Sequence, residues 1–355
     1  MPLALAYLAL WFPPFDASEQ WLLFSYLLCV TVLLRVALTL FDVPGNALVA
    51  ELTRDYESRT RLSTYKVSFT WITTNLTGIL MYGIWLRDDG AAGSGLLNAE
   101  GFQAGAAWFA LAAFAAALAV PVGLRKWIPH LRRTGDVVHP PLRLVLRNLV
   151  QTYSSPSILV LIASAMFLAA GSGLTNAIWV YLYSYYWHCS SEQVNLVQVT
   201  YLCAAILALL ATPRLARGRD KRRLTLQVAG LFWLGTATPY ALNAAGLLPD
   251  MTGPWKMPVL MTHALVDGVL FNALMALMFS LLADVVEESL LRTGRREEGL
   301  ILASQTLISK ASSALGTWFA ALVLTAVHFP SGLPPGDVPA PVLFDLAVWY
   351  VALMW

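Results

Sequence analysis

Four ionisable side chains, Arg35, Asp42, Asp267 and Lys310, fall inside otherwise apolar stretches of this 355-residue chain. A charge at the centre of a lipid bilayer costs roughly 3 kcal/mol on insertion scales, so such groups face a cavity, a ligand or one another. Arg35 precedes Asp42 by seven residues, about two helical turns, which sets both on one helix face. There they either bind an ion or solute or neutralise each other. His263 precedes Asp267 by four residues, the spacing at which helical side chains meet, and a histidine beside a carboxylate can titrate near neutrality. The plainer reading of that couple is a satisfied structural pair near the outer mouth. Asn75, Asn176, Asn195, Asn272 and Gln305 offer amides that either line a cavity or hold helices together. All of this is binding chemistry. There is no HExxH, no GxxxxGK, and no nucleophile, base and orienting group at usable spacing, so no enzyme is expected. Cys29, Cys189 and Cys203 are scattered without ligand spacing, which argues against a disulfide framework or a metal site.

A second set of polar residues occurs twice. Ala50-Glu51 recurs as Ala283-Asp284, Asp55 as Glu288, and Arg59-Thr60 as Arg292-Thr293, all at one constant interval. Such a repeat implies two similar helix bundles related by duplication, as in many secondary transporters. Glu51 and Asp284 are expected where their helices emerge on the cytoplasmic side, opposing the negative end of the helix dipole by about 0.3 to 1 kcal/mol. Basic partners are therefore expected for them, and Arg54, Arg59, Arg292 and Arg295 lie close enough in sequence. Pairing across the bundles makes a gate of Glu51, Asp55, Arg59, Asp284 and Arg292; a local cap that fixes loop shape is the alternative.

The elements that must carry these residues follow from composition. Hydrophobic residues make up 58% of the chain, charged residues 12%, and the mean hydropathy is +0.63, far too little polar surface to cover a soluble globule. Apolar runs of the length that crosses a core of roughly 30 Å fall near 20–41, 64–86, 101–123, 155–186, 192–213, 224–248, 255–284, 299–328 and 338–355. All are expected to be helices, because backbone groups in lipid must be paired within the segment. The net charge of +2 hides an alternation: Lys and Arg crowd the loops around 54–66, 125–147, 214–223 and 292–296, while the other loops hold only Arg87 and Lys256. By the positive-inside rule the first set is cytoplasmic, so these clusters report topology and not nucleic-acid binding. The aromatic run Trp179 to Trp187 reads mostly as an interfacial belt, and Gly171-Ser172-Gly173 as a place for close backbone approach or a bend.

The longest basic loop divides the chain into an N-terminal bundle (1–123), a central cytoplasmic loop (124–154) and a C-terminal six-helix bundle (155–355). Asp284 ends the fourth expected span after that loop, whereas Glu51 ends only the second helix of the chain. Matching the halves predicts a twelve-helix parent with about ten helices present, the first two and part of the third missing. The opening run Met1–Phe12 spans only about 18 Å and reads as the tail of a helix.

Asp42-Val43-Pro44 with Ala50-Glu51-Leu52-Thr53, Asp55 and Arg59-Thr60, followed by Ala283-Asp284-Val285-Val286, Arg292-Thr293-Gly294 and Glu298-Gly299, resembles the glycoside-pentoside-hexuronide:cation symporters. The resemblance implies the all-α, two-bundle fold of the major facilitator superfamily in a multi-pass cytoplasmic (inner) membrane protein. It also implies symport of a sugar or glycoside with Na⁺, H⁺ or Li⁺ by alternating access, with no other cofactor, no nucleic-acid partner and a monomeric state. Carried over residue by residue, it makes Asp42 a sugar contact and cation ligand and Thr39 the cation-binding hydroxyl. Lys66 and Lys310 then face the cavity, and Asn46 stands where a sugar-stacking tryptophan is usual. Asn46 loses stacking, and Lys66 replaces an arginine and its bidentate fork. The resemblance places the family's cation-binding carboxylates largely in the second helix, one of those expected to be missing here. Two alternatives follow: the same fold carrying a lysolipid or other amphiphile, and a truncated membrane protein that does not transport.

Overall fold

A computed structural model describes residues 2–15, 18–52, 69–87, 98–126, 156–293, 298–330 and 333–355; within these, the side chains of 42–44, 46–52, 156–158, 283, 285–293 and 298–304 lie outside the description. Every regular element among the described residues is a helix. Among the described residues, six helices are long and apolar enough to cross a membrane: Gln20–Phe41, Ala99–Leu124, Leu159–Tyr186, Ser191–Ala216, Lys256–Leu282 and Gln305–Ala326. Their large side chains point outward. Trp21 is 83% exposed and Phe167 81%, an arrangement that water would penalise and lipid tails accept.

The chain divides into two compact units, Met1–Val137 and Val138–Trp355. The first holds α1 (Pro2–Trp11), α2 (Gln20–Leu52), α3 (69–80, closing in a π-helical turn Met81–Trp85) and α4 (Ala99–Leu124). In α4 it is the small residues that are buried, Gly101, Gly105, Ala106 and Ala110, while Trp108, Leu111 and Val122 are exposed. Lipid supplies no driving force to hide large apolar groups, so helices meet through small residues that let backbones approach. Asn98 caps α4 by accepting from the Gly101 N–H at 3.1 Å. Trp11 of α1 stacks on Phe102 of α4, with centroids 5.5 Å apart, and the Tyr26 hydroxyl of α2 donates to the Ala9 carbonyl at 2.8 Å. These contacts fix α1 against both of its neighbours.

The second unit comprises α5 (Pro156–Tyr181, closing in a π-helical turn Leu182–Tyr186), α6 (Ser191–Ala216), α7 (Lys221–Thr236), α8 (Thr238–Ala244), α9 (Lys256–Thr293), α10 (Glu298–Ala326) and α11 (Ala340–Met354). Ser190 and Gln193 form a reciprocal capping box that starts α6. The run expected as one span near 224–248 is interrupted between α7 and α8. Pro239 has no N–H to donate, and its ring crowds the carbonyl four residues back, so the helix stops and restarts. That break leaves the Thr236 carbonyl without a helical donor.

The most extensive packing is between α5 and α10, followed by α6 with α9. At the α5–α10 crossing a β-carbon on Gly316 would lie 1.9 Å from the Ala170 carbonyl oxygen, and one on Gly173 would lie 2.1 Å from that of Ser313. Backbone meets backbone there, the close approach that the Gly171-Ser172-Gly173 run suggested. The Thr317 hydroxyl adds bonds to the Ser313 carbonyl at 3.1 Å and the Gly173 carbonyl at 3.4 Å. Even Gly316→Ala should therefore separate the two helices, at a cost above the 1–3 kcal/mol of ordinary overpacking because the obstacle is backbone. A lowered melting temperature in detergent is the expected reading; Gly230→Ala, where nothing lies within 4 Å, should leave it unchanged or raised.

Candidate functional site

The residues drawn from the sequence divide between the units. Helix α2 has 33 residues, roughly 50 Å, and so runs well past a bilayer core. Arg35 and Thr39 are exposed on it and share a shallow groove with Thr31, Val32, Val36 and Leu40. The Thr39 hydroxyl donates to the Arg35 carbonyl at 2.8 Å, which leaves its oxygen lone pairs open to an incoming cation. Asp42, Asn46 and Glu51 continue along α2, but their side chains lie outside the description; Asp55, Arg59 and Lys66 lie outside the described residues altogether. In the second unit Lys310 is exposed on α10. Beside it, Ser309 joins Ser172, Gln305, Met275, Met278 and Phe279 in lining a groove between α5, α9 and α10.

Asp284 sits on α9, the longest helix described at 38 residues. The Lys221 ammonium at the start of α7 donates to both its carboxylate oxygens, at 2.8 and 2.9 Å. The partner is a lysine of the same unit, which sequence proximity had not suggested because Lys221 read only as a topology signal. The helix-dipole expectation also needs correction for Asp284. Helix α9 continues to Thr293, more than two turns further, and the dipole field is confined to the last turn. Arg292 belongs to that continuation, with its side chain outside the description.

A polar centre that the sequence reading underweighted occupies the second unit. His263 Nε2 lies 3.2 Å from the Thr236 carbonyl oxygen, the group freed by the break at Pro239. One turn further along α9, Asp267 lies within electrostatic reach of His263 and faces Thr236. Tyr183, Tyr201, Tyr240 and Tyr350, drawn from the π-turn after α5 and from α6, α8 and α11, all lie within electrostatic reach of the carboxylate. Its Oδ1 is buried without a hydrogen-bond partner. Tyr201, Tyr240 and Tyr350 went unmarked because a tyrosine in an apolar run looks like packing; the signal available was Pro239, which brings Thr236 and Tyr240 into a helix break.

The aromatic run after α5 is not chiefly a lipid-facing belt. Tyr183, Tyr185 and Trp187 are buried, and the Tyr185 hydroxyl donates to the Leu333 carbonyl at 3.3 Å. Asn75 and Asn272 bond back to their own helices, to the Trp71 carbonyl at 2.9 Å and the Gly268 carbonyl at 2.8 Å, so neither joins two helices through that amide.

Helices of membrane-spanning length and exposed apolar surfaces describe a multi-pass membrane protein. A family model described as MFS/sugar transport protein matches residues 1–354, and the chain belongs to that family. It is 24% identical over 425 aligned positions to an uncharacterized symporter of Synechocystis sp., covering 99% of this chain and 75% of that protein. It is 23% identical over 305 positions to a lactose permease of Lactobacillus delbrueckii subsp. bulgaricus, covering 85% of this chain and 46% of the permease. The chain thus spans three quarters of the length of one relative and under half of the other. Family and relatives are transporters and not enzymes, which bears out the resemblance carried by the paired acidic-arginine corners and the all-α membrane fold it implied.

Outside the spans, burial pushes the Cys189 thiol up to about 11 despite the pull of the Lys256 ammonium, which donates to the His188 carbonyl at 3.1 Å. Thiolate is the reactive species, so at neutral pH Cys189 should react with maleimide at least about a hundredfold more slowly than a free thiol. Labelling a Cys29→Ser/Cys203→Ser variant measures this, with the rate rising as pH approaches that value.

Proposed function

We propose that the protein is a secondary active transporter that carries a sugar or glycoside together with a monovalent cation, Na⁺, H⁺ or Li⁺, across a cytoplasmic (inner) membrane. Membership of a sugar-transport family over residues 1–354 is the observation that carries this reading. In this account Asp42 accepts hydrogen bonds from sugar hydroxyls and, with Thr39, holds the cation, so that one carboxylate links the two cargoes. Lys66 and Lys310 complete the polar lining, and Asn46 offers an amide where stacking is absent. Cation and solute bound together neutralise charge at the bundle interface and lower the barrier to rocking between inward- and outward-facing forms. Glu51, Asp55, Arg59 and Arg292 close the cytoplasmic side, with Asp284 held in register by Lys221. The working unit is a monomer.

The groove of Met275, Met278 and Phe279 edged by Ser172, Gln305 and Ser309 favours a second reading in which the cargo is a lysolipid or another amphiphile. Thermal-shift measurements with sugars against lysolipids separate the two: sugars should raise the melting temperature under the first reading and leave it unchanged under the second.

For the full chain in proteoliposomes, Asp42→Asn should reduce solute accumulation at least about tenfold, the loss of a charge-assisted hydrogen bond of about 1.5–3 kcal/mol, with insertion intact. Undiminished uptake would remove Asp42 from the site. Glu51→Lys and Arg292→Glu should each impair uptake, and the double reversal should restore it if the two corners pair across the bundles; additive loss excludes that gate.

A further inference from the structure

The carboxylate of Asp267 has no role in the reading above, and its surroundings are unusual for an acid within a span. Among the described residues, the groups that act on it are His263 from its own helix, Thr236 from the end of α7, and four tyrosines, Tyr183, Tyr201, Tyr240 and Tyr350, from four other elements. No lysine or arginine is among them. Two of the tyrosine hydroxyls are turned to other partners: Tyr201 to Tyr183, and Tyr350 to Thr175, whose Oγ1 is 3.5 Å away. Gly268 presses this wall close, since a β-carbon there would lie 2.9 Å from the Tyr201 ring and 2.8 Å from the Ala204 β-carbon. Oδ1 of Asp267 is left buried with nothing to bond.

The tautomer of His263 follows from its partner. A carbonyl oxygen only accepts, so the Nε2 that lies 3.2 Å from the Thr236 carbonyl must carry hydrogen, and Nδ1 remains free to take a proton. One additional proton, on Nδ1 or on the carboxylate, makes the His263–Asp267 couple neutral. None leaves a lone negative charge, and two leave a lone positive charge, inside an apolar bundle where either is expensive. Charge balance and the unfilled Oδ1 therefore call for the same ligand.

We propose that His263 and Asp267 form a proton-binding site within the second unit, separate from the residues assigned to solute and coupling cation. Uptake transfers one proton from hydronium to the pair, forming one O–H or N–H bond and leaving water; release reverses the transfer when water reaches Oδ1. The tyrosine wall keeps water out between these events and restricts the exchange to moments when α8 or α11 yields.

The test uses the full chain in lipid nanodiscs with no solute present, so it is independent of whether a sugar is carried. Infrared difference spectra across a pH series report carboxyl and carboxylate bands, and Asp267→Asn and Asp267→Glu assign them, the second by keeping the carboxyl group at a shifted frequency. The proposal expects an Asp267 signal that titrates reversibly and whose midpoint changes by at least about tenfold in proton affinity in His263→Gln, one unit of pH. A signal constant over the whole range in which the protein stays folded overturns it, because the acid is then a fixed structural group. A titrating signal indifferent to His263→Gln overturns it equally, since the proton then belongs to Asp267 alone. If Asp267→Asn does not fold, Asp267→Glu and His263→Gln still provide both readings.

Discussion

The constraint behind this structure is that polar groups inside an apolar bundle must find partners without help from water. Several hydroxyls among the described residues satisfy it within their own helix. Thr39, Thr74, Thr77, Ser164, Thr200, Thr225 and Thr325 each donate to the carbonyl four residues back, at distances between 2.8 and 2.9 Å. These bonds remove a desolvation penalty without committing the helix to a neighbour. Among the described residues, bonds that cross between elements help define the tertiary arrangement, among them Asn243 to the Tyr186 hydroxyl at 2.9 Å, Tyr185 to the Leu333 carbonyl and Thr317 to the Gly173 carbonyl. His263 on the Thr236 carbonyl belongs with them, because it repairs a defect that Pro239 creates.

Since lipid tails are as apolar as leucine, helix association depends on shape. Small residues supply it at the α5–α10 crossing, where carbonyls stand where β-carbons would be, and along the buried face of α4. Such packing holds helices closely within each unit and demands little polar pairing. The two longest helices among the described residues, α2 and α9, each extend beyond their apolar part and carry Glu51 and Asp284 on that extension. In α9 the corner is tied by Lys221 to the turn between α6 and α7, so a displacement of one is felt by the other.

Much of this was legible in the residues. Long apolar runs predict spanning helices because lipid leaves the backbone no other option, and they do so without reference to tertiary contacts. The paired corners at Glu51 and Asp284 carried the family resemblance because their acidic and basic residues recur at one constant interval. What escaped depended on partners distant in sequence. Lys221 reaches Asp284 from a loop that composition marked only as basic, and Tyr201, Tyr240 and Tyr350 converge on Asp267 from three separate helices. The aromatic run after α5 misled because tyrosine and tryptophan suit both a membrane interface and a bundle core, and only packing decides between them. The split between α7 and α8 was foretold by Pro239, whose effect was outweighed in the hydropathy by the length of the surrounding apolar run.

The most direct test of the account is to watch the cation when the sugar arrives. In de-energised proteoliposomes containing the full chain, adding a panel of sugars and glycosides outside should draw in Na⁺, Li⁺ or H⁺, registered by an ion-selective or pH electrode, with empty liposomes silent. Sugar entry that moves no cation, or an ion response that no sugar elicits, would contradict coupled sugar transport as the function of this protein.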